Sequence, residues 1–95
     1  MILSTKGNLA KKALEGDYGK GFPNDLVKRT KALFAVLDAV VELKELNYLP
    51  GKKLEKLTGD RNEQYSIRIN DQWRICFEWT QNGPTEVEIT NHYKS

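Results

Sequence analysis

Tyr65-Ser66-Ile67-Arg68-Ile69 and Trp73-Arg74-Ile75-Cys76-Phe77-Glu78-Trp79, joined by Asn70-Asp71-Gln72, decide the fold of this chain of 95 residues. Both runs place a large apolar side chain at every second position, the period of a strand with one buried face. The loop between them fixes how they meet. A two-residue loop at Asn70 and Asp71 would set Ile69 against Gln72 and Ile67 against Arg74, apolar against polar along the whole ladder. A three-residue loop, Asn70 to Gln72, pairs Ile69 with Trp73, Ile67 with Ile75 and Tyr65 with Phe77, and every apolar residue then lands on one side. The same register sets Arg68 directly opposite Arg74 on the other face, with Ser66 opposite Cys76. Trp73 and Trp79 fall on the apolar side and read as core.

Further on, Asn82, Gly83 and Pro84 predict a turn, after which Val87 and Ile89 alternate with Glu86, Glu88 and Thr90 in a last strand. On the N-terminal side, Lys53 to Leu57 predicts a short strand before the loop of Gly59, Asp60, Arg61 and Asn62. Ahead of Leu49-Pro50-Gly51 the period changes. Leu26, Leu33, Phe34, Leu37, Val40 and Val41 fall at i, i+7, i+8, i+11, i+14 and i+15, one stripe of a long helix running from Pro23-Asn24 to about Leu46. Asp25 puts negative charge in its first turn. Asn8 is placed to cap a shorter helix over Leu9 to Glu15, ended by Gly16, Gly19 and Gly21, and Ile2-Leu3 predicts a short edge strand. Helices first and strands later make an α+β domain: an antiparallel sheet of about four strands with the long helix on one face. The length suits one domain spanning residues 1–95.

Composition excludes more than it selects. Fifteen Lys+Arg against thirteen Asp+Glu give a net charge of +2, with 39% apolar residues. No apolar run approaches the roughly 20 residues of a membrane span, so a cytoplasmic protein with no membrane partner is expected. Cys76 is the sole cysteine and His92 the sole histidine, which excludes an intramolecular disulfide and a Cys/His zinc site. Without a P-loop, GxGxxG or CxxC motif, neither cofactor nor metal is expected. Within residues 49–74, Lys52, Lys53, Lys56, Arg61, Arg68 and Arg74 interleave with Tyr65 and Trp73, a pattern that suits nucleic acid. Lysines that guard a sheet edge against aggregation would look the same.

The arginine pair carries the chemistry. Like charges facing each other across strands are unfavourable, and an anion such as a phosphate between them would relieve the repulsion. Neutralisation by Glu55, Glu78 or Glu88 would serve equally. By alternation from Val87 and Ile89, His92 falls on the arginine side with Glu88 and Thr90. A group titrating near neutral pH beside fixed cations matches what RNA phosphodiester cleavage requires: a base for the 2′-OH, an acid for the leaving 5′-oxygen and cations for the transition state.

Three runs together resemble the HigB branch of the RelE/ParE toxin superfamily, the plasmid-maintenance killer proteins. They are Gly51-Lys52-Lys53-Leu54-Glu55-Lys56-Leu57-Thr58-Gly59-Asp60-Arg61, the stretch from Gln64 to Phe77, and Val87-Glu88-Ile89-Thr90-Asn91-His92-Tyr93. The likeness covers residues 51 to 93, and the length and preceding helices agree. It implies a RelE-like fold and the toxin of a type II toxin–antitoxin system, silenced by a HigA-type helix-turn-helix antitoxin. It also implies an mRNA interferase that enters the A site of the ribosomal 30S subunit and cuts the message without metal, leaving a 2′,3′-cyclic phosphate. Carried onto this chain, Arg74 stabilises transition-state charge, Arg68 neighbours it on the phosphate, and His92 moves the proton with Tyr93 beside it. Lys52, Lys53, Lys56 and Arg61 hold the RNA backbone. The chain departs from many relatives in reading Asn91-His92-Tyr93 where they end in Asp-Tyr-His. Glu55 and Lys56 stand where they have a histidine, which makes Glu55 a substitute general base. A gyrase poison of the ParE kind, or an inactive toxin kept as an antitoxin-binding partner, are the alternatives within the superfamily.

Overall fold

The computed structural model describes residues 1–48, 54–57 and 64–91. Four strands, β1 (Leu54–Lys56), β2 (Gln64–Arg68), β3 (Trp73–Thr80) and β4 (Gly83–Asn91), form one antiparallel sheet in sequence order. Helices α1 (Asn8–Leu14) and α2 (Val27–Ala39) pack on each other and on β4. The α+β class is as expected.

The decisive register is the one that parity requires. Tyr65 pairs with Phe77, Ser66 with Cys76, Ile67 with Ile75 and Arg68 with Arg74. In the loop, Ile69 N donates to Trp73 O at 2.9 Å, and the Asn70 carboxamide oxygen accepts from the amides of Gln72 (2.8 Å) and Trp73 (2.7 Å). From α2, Arg29 Nη1 donates to Ile69 O at 2.8 Å and ties the helix to the hairpin end. Ile67, Ile69, Ile75, Phe77, Val87 and Ile89 are buried under Ala10, Ala13, Leu33, Phe34, Leu37 and Leu46. Trp73 and Trp79 are partly buried against this core, and the ring of Phe22 meets Trp73 edge-on at 4.9 Å.

Several elements differ from expectation. Gly7, with φ +84, caps α1, and Asn8 is its first residue rather than its cap. At the other end, Gly16 at φ +93 donates to Ala13 O and Asp17 to Lys12 O, the paired bonds of a Schellman ending that needs a left-handed residue. The long helix is not continuous. It opens with a 3-10 turn at Asn24–Leu26, stops at Ala39, and resumes as a 3-10 helix over Leu43–Tyr48 after Val40 turns extended. The Glu45 carboxylate accepts from the amides of Val41 (3.4 Å) and Glu42 (3.1 Å), so a side chain replaces the α-helical partners there. The break keeps Val40 and Leu46 in the core and turns Val41 out to 76% exposure, removing it from the expected stripe.

The N-terminus forms no regular strand. It lies parallel to β4 through Leu3 N to Pro84 O (2.8 Å), Val87 N to Ser4 O (3.0 Å) and Lys6 N to Val87 O (2.8 Å). The expected turn residues Gly83 and Pro84 instead begin β4, and Gln81-Asn82 make the turn. Between Cys76 and Glu78 the β3–β4 register shifts by one residue, and Glu86 there takes φ +53. Ser4 holds that bulge: its hydroxyl accepts from Glu86 N and donates to Glu86 Oε2, both at 3.0 Å.

Gly83 sits at φ +130, and a Cβ there would meet Met1 O at 2.4 Å. Gly83→Ala is expected to cost about 1–3 kcal/mol in urea unfolding, because the backbone is strained and the N-terminal segment must lift from β4. Burial raises the pKa of Tyr18 above its ordinary value of 10.0. The folded state therefore keeps that proton while the unfolded chain loses it, and stability falls as pH rises from about 10 through the higher folded value. Tyr18→Phe should flatten this alkaline decline in a comparison of melting temperatures.

Candidate active site

Strand alternation sets Arg68, Arg74, Ser66, Cys76 and Thr90 on the sheet face away from the helices, and the β1–β2 pairing of Glu55 with Ser66 adds Glu55. Arg68 and Arg74 are direct cross-strand partners, as the loop length requires. The two guanidinium groups are held differently. Arg68, 49% exposed, lies 4.0 Å from the exposed carboxylate of Asp71 in the loop. Arg74 is only 16% exposed; its Nη1 donates to the Glu55 carboxylate and, at 3.4 Å, to Ser66 Oγ.

Glu55 therefore does neutralise one arginine, the second of the two expected arrangements, and it does so from the neighbouring strand β1. At 46% exposure it keeps one side toward solvent. A planar guanidinium with a carboxylate on one edge is a pre-formed oxyanion cradle whose occupant is already in place. The floor of this face is drier than alternation alone suggests: Ser66 and Cys76 are buried, and so is the Nε of Arg74, which has no hydrogen-bond partner among the described residues. Thr90, the β4 partner of Arg74, has a buried hydroxyl in the same condition. A buried unpaired polar group of this kind costs about 1–3 kcal/mol.

Of the residues expected at the site, Arg68, Arg74 and Glu55 come together on one face. Lys56 pairs with Tyr65 and so falls on the opposite side of β1 from Glu55, exposed at the sheet edge. His92, Tyr93, Lys52, Lys53 and Arg61 lie outside the described residues. Ser66, as an acceptor for Arg74, and Thr90 were not singled out as site residues, although parity already set both on the arginine face. Among the described residues no group of three His, Cys, Asp or Glu is placed to hold a metal ion, and no helix is long and apolar enough to cross a membrane.

Comparison with known proteins adds the family. The chain is 34% identical over 79 residues to a Proteus vulgaris protein named Endoribonuclease HigB, covering 83% of this chain and 85% of that one. It is 32% identical over 57 residues to Toxin HigB-1 of Vibrio cholerae serotype O1, a match that spans 60% of each chain. Residues 6–93 match the family described as the RelE-like toxin of the type II toxin–antitoxin system HigB. With both strands of the arginine pair and the whole sheet inside that span, the chain belongs to the HigB-like family of type II toxins.

Proposed function

We propose that this toxin is an endoribonuclease that cuts messenger RNA on the ribosome, without a metal ion, and leaves a 2′,3′-cyclic phosphate. The observation that carries the reading is the direct opposition of Arg68 and Arg74 on a face that also holds Glu55. The name of the Proteus vulgaris relative supports it. Arg68 and Arg74 bind the non-bridging oxygens of the scissile phosphate and stabilise the charge that grows on them. Glu55 draws the proton from the 2′-OH, whose oxygen attacks phosphorus as the bond to the 5′-oxygen breaks. His92, with Tyr93 beside it, returns a proton to that leaving oxygen. Lys52, Lys53, Lys56 and Arg61 steady the RNA backbone. Two arginines and a carboxylate make a sparse nuclease site, and a substrate positioned by the ribosome supplies the missing orientation. A HigA-type antitoxin is the partner that silences the toxin in the cytoplasm, where its substrate is.

Arg74→Ala and His92→Ala should each lower cleavage by about 10²-fold or more and relieve growth arrest, while the purified proteins stay folded by circular dichroism and still bind antitoxin. Primer extension on messages, with and without translating ribosomes, checks this. Absence of cuts together with accumulating DNA breaks would favour the gyrase alternative and sink the proposal. Glu55→Gln should lower cleavage as strongly and also cost about 1–3 kcal/mol in urea, because it leaves the nearly enclosed Arg74 guanidinium without its counter-charge.

A further inference from the structure

The two donor edges of Arg74 are in different states. Its Nη1 is engaged by Glu55 and Ser66, while its Nε is buried and has no partner among the described residues. Directly across from Arg74 on β4 stands Thr90, whose buried hydroxyl likewise has no partner among the described residues. Cross-strand partners project to the same face, so two unsatisfied groups occupy one residue pair, on the face that carries Arg68 and Glu55. Either group alone would be a small local cost. Side by side, they share one remedy: an oxygen bearing negative charge can accept from both a guanidinium N–H and a hydroxyl.

We propose that Thr90 Oγ and Arg74 Nε form a donor pair for an oxygen of the scissile phosphate as charge grows on it, which makes Thr90 a further residue that stabilises the transition state; the proposal rests on the endoribonuclease reading above. The phosphate takes the open Nε edge, its charge repels the Glu55 carboxylate from Nη1, and the hydroxyl donates to the same phosphate. Thr90 keeps its proton throughout and makes no covalent bond. The exchange also frees Glu55, half-exposed beside the phosphate, to accept the 2′-OH proton, so that occupation of the cradle and release of the base are one event.

A purely structural threonine makes the opposite forecast. β-branching suits a strand, and only the methyl group would then matter, so replacing an unpaired hydroxyl by a second methyl should be harmless. The test is single-turnover cleavage of ribosome-bound message by the full chain and its variants, with melting temperatures measured alongside. Thr90→Val should melt at or above the parent temperature yet cut about 10-fold or more slowly, with the toxin concentration for half-maximal rate little changed. Thr90→Ser, which keeps the donor, should recover most of the rate. Parent-like cutting by Thr90→Val in an assay where Arg74→Ala is slow overturns the donor pair and leaves the endoribonuclease reading standing. Parent-like cutting by both variants overturns the donor pair and the role given to Arg74, whereas a parent chain that cuts no message overturns the endoribonuclease reading as well. A melting temperature of Thr90→Val well below the parent's would reveal a structural partner for the hydroxyl and would also overturn the donor pair.

Discussion

The confrontation of Arg68 with Arg74 across β2 and β3 is the constraint on which the site depends, and the chain does not choose it for its own sake. Two like charges in direct cross-strand register cost up to about 1 kcal/mol. Shifting the register by one residue would avoid the repulsion but would turn the buried apolar residues of one strand, Ile67 of β2 or Ile75 and Phe77 of β3, out of the core. Full burial of each such side chain contributes about 1.5–3 kcal/mol, so the core decides the register and the arginines accept the consequence. The hairpin loop then removes the remaining freedom: Asn70 gathers two amides inside it, and Arg29 reaches from α2 to the carbonyl of Ile69 beside Arg68. The cationic pair is thus positioned by apolar packing on the far side of the sheet and by neutral hydrogen bonds at its end.

This explains which parts of the molecule were legible in the sequence. The β2–β3 register follows from a parity rule and a loop length, and only one combination keeps Tyr65, Ile67, Ile75 and Phe77 together. The helix break at Val40 was not legible, because a periodic stripe carries no record of a carboxylate three or four residues ahead taking the amides of Val41 and Glu42. The bulge at Glu86 depends on Ser4, 82 positions away in sequence, and no local pattern announces such a partner. Gly83 and Pro84 carry turn chemistry, yet the positive φ of Gly83 serves the close passage of Met1 past the first residue of β4. In the site, alternation put Ser66, Cys76 and Thr90 on the correct face. What alternation cannot supply is depth, and the dryness of that floor is what separates Arg74 from Arg68.

That difference in depth has a functional sense. Arg68, half-exposed with a loosely placed carboxylate 4.0 Å away, can meet an incoming phosphate with little rearrangement. Arg74 is nearly enclosed, and an enclosed cation without a counter-charge would be expensive, so Glu55 is as much a condition of its burial as a candidate base. On the endoribonuclease reading the substrate must compete with an internal anion. A phosphate bound weakly or in the wrong place does not displace it, whereas a phosphate held by independent contacts does. Binding energy gathered elsewhere on the substrate is then spent at the reacting centre, which raises discrimination without raising affinity for free RNA. On the proposed function, a ribosome-bound message with its backbone already fixed is the substrate such a site would favour, and the built-in carboxylate would keep a small basic protein from degrading RNA at large.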